Sequence, residues 1–297
     1  MRKLEWVALI LVIIVAIGGG ILRSGDAVPE NHSPRRPGPE LFEPIYWDAE
    51  TRAWLKEGAK NLRPKAPGAP TYLTEGYMKE GDVEGSSTGS AFSVSSKGYW
   101  LTARHVIEGC DEAFLQTGNQ EAARILDYYL HPGADVALLA TRRAPVGLPL
   151  SQLGVKTRDS FNVGFPKGSP GAVHGLYLGE MTMRHTGRLR YRERVDAWSI
   201  VSEIPRKFNS LGGLSGGAVI NDSGEIVGIV QSESPRRGRF MTARPEVLQN
   251  MFEVAGIKIP MNSKPASSTE ISEANYQNMA RELIVTLRVS KVLCFVD

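Results

Sequence analysis

The sequence predicts an all-β body, a barrel or a sandwich, running from about Gly76 to Pro260. Three observations predict it. Short runs of β-branched and other apolar residues recur at regular spacing: "GSAFSVSSKGYWLTA", "DVALLA", "SFNVGFP", "LYLGEM", "DAWSIVS" and "GAVINDSGEIVGIV". Glycine, asparagine and serine turns of hairpin type, such as "NDSGE", separate them. Long helical periodicity is absent from this stretch, and no internal repeat is evident.

The chain has 297 residues, 42% of them hydrophobic, enough to bury a core in one large domain or two small ones. The net charge is +3, with both signs dispersed and no basic run interleaved with aromatics, which gives nucleic-acid binding little support.

Ahead of the body, "MRKLEWVALILVIIVAIGGGIL" sets two basic residues before an uncharged apolar run from Trp6 to Leu22. Residues 1–22 are expected to be a transmembrane anchor with Met1 in the cytoplasm and the rest of the chain across the membrane. A cleaved signal peptide is the alternative, with small residues at Gly25 and Ala27. Both leave the bulk of the chain outside the cytoplasm. Residues 23–75 read as a stalk, because "VPENHSPRRPGPE" and "NLRPKAPGAP" are rich in proline and charge. One amphipathic helix fits between them, in "YWDAETRAWLKEGAKNL".

The body is assigned 76–260. Residues 261–297 are a polar linker followed by "NYQNMARELIVTLRVSKVLCFVD", whose first part reads as helix and whose second, from Ile284, reads as one or two strands. Unpaired strands with apolar side chains are an aggregation hazard, so this tail is expected to dock on something. The two cysteines, Cys110 and Cys294, allow one bridge or two buried thiols.

Chemistry enters at "NSLGGLSGGAVIN", where four glycines surround Ser215. A serine hydroxyl becomes a nucleophile when a neighbouring base takes its proton and a third group orients that base. Glycines answer a separate need, letting two backbone N–H groups converge on a carbonyl oxygen that gains negative charge. Gly213 and Ser215 are the candidate donors. The motif also fits the G-x-S-x-G elbow of another fold, in which the histidine follows the serine. Here the last histidine is His185, so the base has to come from upstream and a lipase or esterase is disfavoured.

Of the five histidines, His32 lies in the stalk and His131 in a turn, "LHPG". His174 and His185 have no evident anchor and read as surface or strand-end residues. His105, in "GYWLTARHVIEG", is delivered by an apolar strand end and is the candidate base. The acidic candidates between His105 and Ser215 are Asp111, Asp127, Asp135, Asp159 and Asp196. Asp135 opens "DVALLA" at the mouth of a buried strand, where a carboxylate needs a partner.

Taken together these stretches resemble the trypsin/chymotrypsin-like serine proteases. "LTARHV" is similar to that family's T-A-x-H motif, "ADVALL" to its D-[VI]-A-L-L motif and "GGLSGGAV" to its G-x-S-G-G motif, in the family's chain order. The match spans roughly Gly89 to Arg244. Within the family the chain is most similar to the bacterial HtrA/Deg-like branch, through "VGFPKG", the sparse cysteines and "GEIVGIVQS".

The resemblance implies two six-stranded β-barrels with His105 and Asp135 on the first, Ser215 on the second, and the amides of Gly213 and Ser215 as oxyanion hole. It implies substrate contacts at Val230, Gln231 and Ser232 and a pocket floor at Asn209, whose neutrality argues against strict preference for Arg or Lys. Neither cofactor nor metal is implied. The expected partners are protein or peptide substrates, and the membrane through the N-terminal helix. A homo-oligomer is common in the branch, though nothing in these residues demands one.

The chain departs from the family in several places. Leu214 stands where digestive members carry the aspartate that pairs with a freed N-terminus, so that activation switch is not expected. Arg104 replaces a small residue before the histidine and is expected to point to solvent. No PDZ-type module is expected in the tail. "ARELIVTLRV" resembles the missing first strand of the first barrel, displaced to the C-terminus, and docking there would bring Cys294 toward Cys110. The function expected is a membrane-anchored extracytoplasmic serine endopeptidase; the alternative is a catalytically silent or partner-activated scaffold of protease fold.

Overall fold

The computed structural model describes residues 75–78, 86–117, 121–152, 158–186, 190–204, 208, 210–258 and 263–296. The anchor, most of the stalk and Asn209 lie outside the described residues. Among the described residues no helix is long and apolar enough to cross a membrane.

The elements in chain order begin with β1 (Glu75–Met78), β2 (Ser87–Ser95), β3 (Tyr99–Thr102) and the one-turn helix α1 (Arg104–Ile107). Strands β4 (Glu112–Gln116), β5 (Ala122–Arg124), β6 (Asp127–Leu130) and β7 (Ala137–Ala140) complete the first half. The second half holds β8 (Asp159–Gly164), the long β9 (Gly171–Thr186) and β10 (Arg190–Ile204), then β11 (Ala218–Ile220), β12 (Ile226–Ser234) and β13 (Arg239–Ala243). Helices α2 (Pro245–Val254) and α3 (Tyr276–Val285) and strand β14 (Val289–Phe295) follow.

Two sheets result. In the second, β9, β10, β13, β12, β11 and β8 pair in that order and β8 pairs back onto β9, closing a six-stranded ring to which β1 adds in parallel alongside β9. The first sheet runs β5-β4-β14-β2-β3-β7-β6 and is not closed among the described residues. The expectation of two six-stranded barrels is therefore corrected. One half is a ring of six, and the other is an open sheet of seven.

The strand that brings this sheet to seven is β14, which inserts between β2 and β4, with Val289 opposite Phe92 and Cys294 opposite Ala113. An interior strand has both edges hydrogen-bonded, and this one is buried at Val289, Val292, Leu293, Cys294 and Phe295. Cys294 is bridged to Cys110 just beyond α1.

Two local expectations are also corrected. "ARELIVTLRV" is not a strand. Residues 276–285 form α3, whose buried Tyr276, Met279, Ala280, Leu283 and Ile284 recur at helical spacing, and the strand starts only after the positive φ of Leu287 has turned the chain. A second helix, α2, occupies the end of the stretch read as purely β. Pro245 at its first turn and buried Leu248, Met251 and Phe252 account for it.

Each sheet has a buried tryptophan whose indole N–H finds a threonine on a neighbouring strand or its end. Trp100 donates to Thr141 and Trp198 to Thr242, both at 3.0 Å. Satisfying that donor is what lets so large a side chain sit wholly in the core.

Candidate active site

The two sheets meet at Ser90 on β2. Its N–H donates to the carbonyl of Ser215 at 2.8 Å, its hydroxyl donates to the carbonyl of Gly213 at 2.7 Å, and the same hydroxyl accepts the N–H of Phe165 at 2.9 Å. A residue of the first sheet thus fixes the serine loop of the second.

The close approach explains the glycines. At Gly216, φ is +83° and a Cβ would lie 2.0 Å from the carbonyl oxygen of Ser90 and 2.3 Å from Thr102 Oγ1. Only glycine fits there. A Cβ on Gly217 would lie 2.7 Å from two carbonyl oxygens, whereas one on Gly212 would meet only the Ser210 hydroxyl, at 3.4 Å. At Gly213, φ is +91° and a Cβ would lie 2.5 Å from the carbonyl oxygen of Phe165, so three of the four glycines have a backbone reason and Gly212 does not.

The peptide planes set where the amides point. The carbonyl of Gly212 accepts the N–H of Lys167 at 2.6 Å and that of Leu214 accepts the N–H of Gly217 at 2.8 Å. In a planar trans peptide the N–H points opposite to the C=O. The N–H groups of Gly213 and Ser215 are therefore turned away from those contacts, and neither has a hydrogen-bond partner among the described residues.

His105 is the second residue of α1. Its ring Nδ1 lies 2.7 Å from Asp135 Oδ2, and its backbone N–H donates to Asp135 Oδ1 at 2.9 Å. Asp135 is wholly buried, while the imidazole side chain keeps 28% of its exposure. Burial by itself would push the Asp135 carboxyl up, but the His105 imidazole, its two hydrogen bonds and the more distant His185 outweigh that and hold it below the ordinary aspartate value.

The hydroxyl of Ser215 donates to the carbonyl of Gln231 at 3.5 Å rather than to the imidazole. A hydrogen bond of that length is weak, so the hydroxyl is easily re-aimed.

Arg104 does not point to solvent. It is 8% exposed, and its guanidinium grips Glu108 with two hydrogen bonds, at 3.0 and 2.9 Å, and the carbonyl of His131 at 2.8 Å. Its length lets it fold back along the helix, so its charge is matched by Glu108 on the same element.

His174 and His185 are not surface residues either; both are buried on β9, which pairs with β10 along its length. His174 pairs with Asp159 at 2.7 Å, and His185 stacks on Tyr191 with ring centroids 4.1 Å apart.

Val230 is buried, and its N–H and C=O bond the backbone of Gly217 and Gly216. Gln231 sits at a bulge of β12, between the registered residues Val230 and Ser232, and its side chain turns inward to Asp135 and Glu193 instead of toward a cleft. Ser232, Glu233 and Ser234 pair with β13 on one side and with no strand on the other among the described residues. Glu233, unmarked by any motif, accepts the N–H of Leu211 at 2.8 Å and the hydroxyl of Ser210, tying β12 to the loop before the serine.

Residues 89–229 match the family model of the trypsin-like peptidase domain. Among curated proteins the chain is similar to a probable periplasmic serine endoprotease DegP-like of Ectopseudomonas mendocina (strain ymp). They are 33% identical over 162 residues, which cover 53% of this chain and 32% of that protein.

The counterpart of Pseudomonas fulva (strain 12-X) is 32% identical over 183 residues, covering 60% and 34%. The chain thus spans about a third of the length of these relatives. Among solved structures it is similar to the Rv3671c protease of M. tuberculosis in its active form, at TM-score 0.47 and 17% identity over 59% of this chain and 83% of that one. A second is the HtrA-type protease AlgW with decapeptide, at TM-score 0.43 and 21% identity over 57% and 51%.

Proposed function

We propose that the protein is an extracytoplasmic serine endopeptidase in which His105, Asp135 and Ser215 form the triad. The observation that carries this reading is the 2.7 Å contact between His105 Nδ1 and buried Asp135, beside a serine loop whose Gly213 and Ser215 amides have no partner among the described residues. Asp135 accepts a hydrogen bond from Nδ1–H, which holds the tautomer that leaves Nε2 as the basic nitrogen. As the Ser215 hydroxyl attacks a peptide carbonyl, His105 accepts its proton and then returns it to the leaving amine. The amides of Gly213 and Ser215 receive the oxyanion. Water hydrolyses the acyl-enzyme by the same route.

The unpaired edge of β12 at Ser232–Ser234 suits an extended substrate backbone, with Val230 and Gln231 holding that edge against the serine loop. Asn209 stays the proposed floor of the pocket for the residue at the cleaved bond.

The compartment is proposed on three supports: the apolar run Trp6–Leu22 behind two basic residues, the disulfide, and relatives described as periplasmic. The chain is then a single-pass inner-membrane protein with its peptidase domain outside the cytoplasm. Retention of the full chain in membranes after alkaline carbonate washing supports the anchor, and release of a shortened chain supports cleavage.

A second reading, a silent or partner-activated scaffold, draws on the Ser215 hydroxyl being turned to Gln231. Labelling by a fluorophosphonate separates the two. We expect the wild-type chain to be labelled at Ser215 and to cut unfolded casein, and Ser215→Ala to do neither while keeping the same thermal unfolding. A folded wild-type chain that resists the probe favours the scaffold.

A further inference from the structure

Behind the His105–Asp135 pair lies a buried polar cluster to which none of the three motifs points. Glu193 on β10 is 3% exposed. Its Oε2 accepts the backbone N–H of Asp135 at 3.0 Å, and its Oε1 accepts the side-chain amide of Gln231 at 2.9 Å. The same amide donates to the carbonyl of Asp135 at 3.2 Å. Both main-chain polar groups of Asp135 are therefore held from the opposite sheet. Gln231 also takes the Ser215 hydroxyl on its own carbonyl, so one residue touches the serine and the aspartate.

A carboxylate costs several kcal/mol to bring to this depth, and apolar residues could join two sheets at lower cost. Both oxygens of Glu193 accept N–H donors, the arrangement of an ionised group. The titratable groups packed against it among the described residues are Asp135, with His105 beyond it, on one side, and His185 on the other, where Tyr191 stacks on the imidazole. His185 Nε2 is 3.3 Å from Glu193 Oε2. Glu193 thus has an imidazole of its own beside it.

We propose that Glu193 and Gln231 are positioning residues of the triad. They fix the main chain of Asp135, and through it the ring of His105, relative to Ser215, and the charge of Glu193 favours the protonated state of His105. The inference rests on the reading of Ser215 as nucleophile. Positioning and charge have separable signatures. Gln231→Leu removes the amide without changing charge, whereas Glu193→Gln removes the charge from a side chain of the same size.

The experiment follows fluorophosphonate labelling of Ser215 against pH in the full chain, with kcat and KM on casein-derived peptides. Both variants are expected to lose between ~10-fold and ~100-fold in the plateau labelling rate and in kcat, with KM little changed. Glu193→Gln alone should also move the acid limb of the profile to lower pH, because an imidazolium that loses a nearby anion gives up its proton more readily.

A folded Glu193→Gln variant with the wild-type plateau and acid limb overturns the inference. So does a lower plateau that active-site titration accounts for by unfolded protein. Should the wild-type chain resist the probe, the nucleophile reading fails alone. An NMR titration of the His105 ring then decides, and an unchanged ring pKa in Glu193→Gln overturns the positioning role.

Discussion

Two aspartates show how the same side chain is put to opposite uses. Asp135 is wholly buried yet doubly bonded to His105, and its pKa is depressed. A depressed acid stabilises the fold above the unfolded aspartate range and loses that contribution as pH falls through its lower folded value. Asp135→Asn is expected to cut kcat/KM by about 10⁴-fold, since the amide can hold the wrong imidazole tautomer; a pH series of peptide cleavage measures it.

Asp196, on β10, lies on the other side of the balance. Burial pushes it up to about 6, against the pull of Arg244 and the Tyr177 hydroxyl, and its Oδ2 has no hydrogen-bond partner. A raised acid leaves the fold unpenalised below the unfolded value near 4 and weakens it increasingly as pH rises to its folded value. Asp196→Asn should therefore raise the unfolding temperature by several degrees at about pH 8 and by less at about pH 5. Scanning calorimetry at both pH values checks the sign.

At the scale of elements, the tail is the instructive case. Lys291 of β14 donates to the carbonyl of Gly168 at 3.1 Å, at the end of the turn whose Lys167 N–H holds the carbonyl of Gly212. Burial lowers its pKa. The tail thereby braces the serine loop through one intermediate turn. Lys291→Met keeps the aliphatic stem but frees that turn, and is expected to lower kcat by about tenfold with KM and secondary structure unchanged; steady-state kinetics and circular dichroism read both.

The sequence carried some of this and not the rest. His105, Asp135 and Ser215 were legible because each sits in a short local pattern whose neighbours are dictated by the same backbone need, as Gly216 against Ser90 shows. Glu193 was not, because its role depends on the pairing of β9 with β10 and on the facing of two sheets, neither of which any window of sequence contains. Helix α3 was half legible: its apolar spacing was present, but the run from Ile284 to Val289 reads equally as strand until the positive φ of Leu287 divides it.

Across the whole molecule, the first sheet is completed by its most distant strand. The Cys110–Cys294 bridge spans a sequence separation of 184 and pins β14 beside α1, which carries His105. In chain-entropy terms a loop of that size contributes up to ~5 kcal/mol by constraining the unfolded chain. Reduction, or Cys294→Ser, is expected to lower the unfolding temperature by roughly 10 °C, since each kcal/mol corresponds to a few degrees for a domain of this size. Calorimetry with and without reductant measures it, and an unchanged unfolding temperature would show that packing of β14 alone holds the sheet.

Because β14 lies between β2 and β4, the strand order in space is not the order of synthesis. A ribosome that has already released Ser215 still withholds the strand that completes the sheet from which helix α1 and His105 follow. Until that piece emerges, two apolar edges stay open and the fold cannot close. A nascent chain built this way comes late to its folded shape.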